Sequence, residues 1–271
     1  MAGWSTLAGE PKYAVRRGLA GRRPADDRRA PSRTHAPVTP GSFTAVDLEL
    51  HGHVVLVVGG TGFIGRAIVG RLRNEGATVI AASRNVEDGL TIDARNPDSV
   101  RSALSTVIDQ QGRLHALVVA AAPSARTLDA TRHADPEQVL DAIDAKAMSF
   151  LRVANAALPI MTRAGYGRIV GVSGQNAFLT GNVTGSVRNA ALIVAAKNLA
   201  DDVAGSGVTI NTVSPGIVAA SPAASVEPGT GGESSPEQIA DLVSFLVSPR
   251  AGAISGESIA VGHRVRGVTS M

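Results

Sequence analysis

The sequence predicts an α/β fold, a doubly wound parallel sheet with helices on both faces. Segments of strand length alternate with amphipathic segments of helix length from residue 54 to residue 261. The strand segments are almost continuously apolar, as strands covered on both faces must be. The first of them, Val54–Val58, runs straight into a glycine turn that opens a helix.

Taken in order, the spacing Gly59-x-x-Gly62-x-x-Gly65 suits a dinucleotide diphosphate. Gly59 lets the chain turn, Gly62 removes a side chain that would hold phosphate away, and Gly65 lets helix and strand pack closely. Backbone amides around Thr61, Phe63 and Ile64 then point, with the helix dipole, at the anion. The second strand is Ala77–Ala82, ending at Ser83 and Arg84. An acid binding the ribose 2′-OH of NAD is expected about 20 residues after the turn, and none stands here. Ser83 and Arg84 suit a 2′-phosphate instead, which favours NADP over NAD, unless Arg84 is merely a solvated loop residue. Leu90–Asp93 is a short strand whose Asp93 either accepts from the adenine amino group or caps the next helix.

A helix over 97–110 leads to a strand over Leu114–Ala122, and a long helix is expected over roughly 136–163 with Val139, Ile143, Ala147, Leu151, Ala154 and Leu158 inward. Strand 168–173, helix 185–204, strand 208–213, helix 237–247 and strand 257–261 complete the alternation. Segment 219–235 is small, polar and unpatterned, a flexible lid or a slack connection.

The chain has 271 residues, 44% hydrophobic and none of them cysteine. That is enough for one sizeable core, and it excludes disulfides and cysteine chemistry. The net charge of +3 divides into +5 over residues 1–40 and −2 over the remainder. Residues 1–45 read as a disordered basic tail: an inert extension, an electrostatic tether or a targeting segment. The folded domain is expected over 46–271. Nucleic-acid binding gains little support from its charge, no apolar run is long enough for a membrane span, and no secretory signal is visible. A cytoplasmic location is expected. Asp201 and Asp202 lack metal-ligand company, so no metal site is expected.

From about residue 50 to 262 the chain resembles the short-chain dehydrogenase/reductase family. The resemblance rests on the glycine turn, Asp93, Ala156–Met161, Gly167–Val170, Ala190–Leu192 with Leu199 and Ala200, Asn211, Pro215 with Gly216, and Phe245–Ser248 to Ile254–Glu257. It implies a seven-stranded Rossmann-type sheet, NAD(P) across the strand ends, a small-molecule substrate and a homodimer or homotetramer. It extends the cofactor-binding set to Ala120, Ala121, Asn189, Pro215, Gly216 and Ile217.

The reaction centre departs from that family. Its tyrosine and lysine positions hold Gly185 and Asn189, and the chain has only two tyrosines, Tyr13 and Tyr166, neither suitably placed. The serine position falls on Ser173 or Gly174, and the family's helix asparagine falls near Asp144 or Ala145. Ser173 is the candidate catalytic residue, with Thr184, Ser186, Arg188 or a water as other donors. The readings left open are an NADP-dependent oxidoreductase on a small carbonyl or alcohol, a non-redox cyclase, dehydratase or isomerase, and a silent binding subunit. His115 and His133 are expected to be structural, and His263 to lie at a subunit contact.

Overall fold

A computed structural model describes residues 46–86, 89–123 and 127–267. The expectations for the N-terminal tail lie outside the described residues.

Seven strands form one parallel sheet: β1 (Val54–Val58), β2 (Thr78–Ser83), β3 (Leu90–Thr91), β4 (Ala116–Val119), β5 (Gly167–Val172), β6 (Val208–Pro215) and, last in the chain, β9 (Ser258–Val261). Their order is β3-β2-β1-β4-β5-β6-β9, so the direction of winding reverses between β1 and β4. Register is set by apolar pairs such as Val55 with Val79 on one side of β1 and Leu56 with Leu117 on the other. Because side chains alternate along a strand, each strand feeds two cores. Leu56, Leu117, Ile169 and Ile210 pack on one face with Phe150, Met161 and Leu192. Val55, Val57, Val118 and Val170 pack on the other with Ile68, Leu72, Ile239 and Val243.

The helices are α1 (Phe63–Asn74), α2 (Pro97–Gln111), α3 (Pro136–Ile143), α4 (Ser149–Ala164), α5 (Val183–Asp202) and α6 (Pro236–Leu246). Most have side-chain caps. Asn96, Asp135 and Asn182 accept from first-turn amides of α2, α3 and α5, and Ser235 with Gln238 forms a capping box on α6.

Three departures from the sequence reading have local causes. The long helix is interrupted by a π-turn at Asp144–Met148, which joins α3 to α4. The expected Ala147 and Ala154 are fully buried and Ile143 and Leu158 pack against the core, but Ala142, Lys146, Phe150, Val153 and Ala157 are buried as well, so the inward face is broader than a strict fourfold step selects. β4 has four residues, because Ala120–Pro123 leave the sheet. Segment 219–235 is tied at its ends, where Ile217–Val218 (β7) pair with Glu233–Ser234 (β8) and Ala219 N–H donates to the Ser234 carbonyl at 3.0 Å.

Candidate cofactor and active site

The site is built first by backbone. Gly59 has φ 86°, and a Cβ there would lie 2.6 Å from Ala121 N, so only glycine turns the chain this close to the end of β4. A Cβ at Gly65 would collide with the Gly59 carbonyl oxygen, so α1 rests directly on the turn. Gly62 is the N-cap of α1 and has extended backbone but no capping side chain. Thus α1, unlike α2, α3, α5 and α6, opens with no side-chain acceptor for its first amides, and its positive dipole end has no anion from the protein. A Cβ at Gly62 would meet only the Gly59 carbonyl, at 3.3 Å.

This turn borders a cleft of about 230 Å³ at the point where the strand order reverses. Val58, Gly59, Thr61 and Gly62 form one wall, and Ala120–Pro123 after β4 form the facing one. Ser83, Arg84, Ile92, Asp93, Ala94 and Arg95 close the outer end. Asp93 does not cap α2; Asn96 does, and Asp93 Oδ1 accepts from Arg95 N–H at 3.0 Å. The capping alternative for Asp93 is therefore corrected. Arg95 is held by Asp141 and Asp144, each at 2.7 Å. Arg84 is exposed and has no carboxylate partner among the described residues.

The cleft thus brings together Gly59, Thr61, Gly62, Ser83, Arg84, Asp93, Ala120 and Ala121 from the expected set. Phe63, Ile64 and Gly65 stand in α1 behind the turn. Pro215 ends β6, Gly216 follows it and Ile217 opens β7; they lie at the carboxyl edge of the sheet, outside the cleft lining.

Ser173 and Asn189, expected at the site, also lie outside the cleft lining, in a group of buried side chains between β5 and α5. Ser173 is buried, and its Oγ donates to the Asn189 carbonyl at 3.0 Å. Asn189 Nδ2 donates to the Gly185 carbonyl at 2.9 Å, leaving Asn189 Oδ1 buried without a partner. Two other candidate donors are engaged: Thr184 Oγ1 donates to the His133 carbonyl at 2.7 Å, and Ser186 Oγ donates to the Leu179 carbonyl at 2.6 Å. Arg188, 4% exposed, donates from Nη1 to the Pro123 carbonyl at 3.2 Å, while its Nε has no partner.

Lys146, absent from the sequence reading, joins this group. It projects from the π-turn, is 7% exposed, and donates from Nζ to the Ser173 carbonyl at 3.1 Å. Burial, with Arg188 nearby, pushes its pKa down to about 7. The legible signal was a lysine four residues from Ala142 and from Phe150, on a helix face otherwise apolar.

His115 lies away from the cleft, in an aromatic cluster. His115 stacks on His53 with centroids 4.5 Å apart, and Tyr166 meets both edge-on under the Arg168 guanidinium. His115 Nδ1 accepts from Val54 N–H at 2.8 Å, and burial pushes its pKa down to about 4. This cluster sits at the amino ends of β1, β4 and β5, opposite the cleft.

The fold and the turn together define a Rossmann-type α/β protein. A family model described as enoyl-(acyl carrier protein) reductase matches residues 61–263. The 3-oxoacyl-[acyl-carrier-protein] reductase FabG of Vibrio cholerae is 29% identical over 249 residues, which cover 79% of this chain and 97% of that relative. A solved structure of a putative short-chain dehydrogenase/reductase from Burkholderia xenovorans matches with a TM-score of 0.66 and 23% identity, over 79% of this chain and 96% of that one. The ribose-5-phosphate isomerase structure from Brucella melitensis matches with a TM-score of 0.68 and 24% identity, over 80% and 93%. The chain belongs to the short-chain dehydrogenase/reductase family. The differently titled neighbours share the fold and leave the reaction to be argued from the site.

Proposed function

We propose that this family member binds NADP in preference to NAD and is an oxidoreductase acting on a small carbonyl or alcohol substrate, through an active site without the usual tyrosine and lysine. The observation that carries the cofactor reading is the uncapped amide end of α1 beside Arg84, a guanidinium with no carboxylate partner among the described residues. Gly59 to Gly65 with Thr61, Phe63 and Ile64 would hold the diphosphate. Ser83 and Arg84 would hold the 2′-phosphate, and Asp93 the adenine amino group. Ala120, Ala121, Asn189, Pro215, Gly216 and Ile217 would border the nicotinamide riboside. A bound dinucleotide would supply or accept the hydride. Ser173 Oγ, whose proton is donated to the Asn189 carbonyl, would accept from a substrate hydroxyl, and a water would supply or take up the proton that accompanies the hydride. The same reading carries a homodimer or homotetramer and a cytoplasmic location.

A second reading, a non-redox enzyme or a silent binding subunit, is favoured by one observation: Gly185 has no side chain to donate, and the neighbouring Thr184 and Ser186 hydroxyls are tied to backbone carbonyls. Fluorescence titration with NADPH and NADH, followed by absorbance at the nicotinamide band with a panel of carbonyls, separates the readings. Turnover with any carbonyl supports the first; tight NADPH binding with no turnover leaves the second. Equal affinity for the two nucleotides contradicts the role given to Arg84.

A further inference from the structure

Two buried cations, Lys146 of the π-turn and Arg188 of α5, stand outside the cleft lining but next to residues that form it, and among the described residues neither forms an ion pair. The ion pairs the structure does contain lie elsewhere and are at least partly solvated, as with Arg95 or Lys197. Lys146 is satisfied by one backbone carbonyl, that of Ser173, and Arg188 by one, that of Pro123. Carbonyl dipoles offset part of the cost of burying a charge but leave it without a counter-ion, an arrangement proteins avoid unless a ligand supplies one. The Arg188 Nε–H, buried and unpartnered, is the donor a planar oxyanion would take. Both residues adjoin the cleft: Lys146 follows Ala145 and precedes Ser149, which line it, and Pro123 lines it too. Lys146 lies within the π-turn, and such turns are frequent at functional sites.

We propose that Lys146 and Arg188 form a binding site for an oxyanion, and that the molecule entering the inner cleft carries a carboxylate or phosphate beside its reacting carbon. The inference rests on the active-site reading only for its location; anion binding needs no bound nucleotide. Lys146 and Arg188 would fix the anionic end, so the pair substitutes charge recognition for the side chains lost at Gly185 and Asn189.

The test uses the full chain without nucleotide at low ionic strength and pH 6.5, by calorimetry and thermal shift. The probes are pyruvate, its uncharged counterpart pyruvamide, and inorganic phosphate. At least one anion is expected to bind saturably and raise the melting temperature, with pyruvamide at least tenfold weaker. Pyruvate alone assigns a carboxylate, phosphate alone a phosphorylated ligand, and both a site that reads charge. Lys146→Met and Arg188→Gln should each weaken the anion at least tenfold. Lys146→Met should also melt higher than the parent without ligand, because a buried cation has gone, so loss of folding does not mimic loss of binding. No saturable binding of either anion, equal binding of pyruvamide, or unchanged affinity in Lys146→Met overturns the proposal. NADPH titration of the same samples keeps the two readings apart: nucleotide binding without anion binding sinks this inference alone, and the converse sinks only the cofactor reading.

Discussion

At the β1–α1 end of the cleft, recognition is assigned to backbone: a turn at Gly59, an uncapped helix start at Gly62 and close packing at Gly65. At the β5–α5 end, the structure offers buried side chains instead: Ser173, Arg188, Asn189 and the incoming Lys146. The first end follows the family pattern and the second departs from it. A backbone site tolerates sequence drift everywhere except at its glycines, whereas a side-chain site changes its chemistry with each substitution. On the proposed function, one scaffold keeps a nucleotide cleft while its reaction centre changes.

That contrast is broken most severely by filling the backbone end. Gly65→Val places branched carbon against the Gly59 carbonyl in a packed contact, so a loss of about 4 kcal/mol or more, or failure to fold, is expected in urea denaturation. A variant as stable as the parent would mean that α1 does not rest on the turn. Next in size is Arg84→Glu. Replacing the guanidinium by a like charge to the 2′-phosphate should weaken NADPH by about 10–100-fold. NADH should change little, as competitive fluorescence titration would show; a parallel loss for both nucleotides would move Arg84 out of the specificity role.

The smallest effect sharpens the side-chain end. The folded-state pKa of Lys146 is about 7, below the ordinary 10.5, so between those values the unfolded chain holds a proton that the folded chain has released. Stability therefore gains a contribution as pH rises through that window, and the contribution is absent below about 7, where both states are protonated. Comparing denaturation midpoints of the parent and Lys146→Met at pH 6.5 and 9 should show that rise in the parent and a weaker one in the variant. Identical pH dependence would mean that Lys146 keeps its proton in the folded protein.

The sheet was legible because strands buried on both faces are written as apolar runs, and Val54–Val58 and Leu117–Val119 admit little else. The glycine turn was legible because its constraint is local: positive φ at Gly59 and lack of room at Gly65 concern near neighbours in the chain. The inner site was not. Lys146 meets Ser173 across 27 residues and Arg188 meets Pro123 across 65, and no local pattern encodes either approach. The two readings of Asp93, adenine contact or cap of α2, stay open in the sequence for a related reason: Asp93 and Asn96 are both capable acceptors, and helix geometry chose Asn96 as the cap.

The most direct measurement is equilibrium titration of NADPH against the parent and Gly62→Val, with circular dichroism to confirm that both are folded. The added Cβ meets only one carbonyl, at 3.3 Å, so the fold should survive while branched carbon obstructs the α1 amides. NADPH affinity falling by about 100-fold, about 2.7 kcal/mol, is the expected result. Unchanged affinity in the folded variant would contradict the claim that these amides hold the diphosphate.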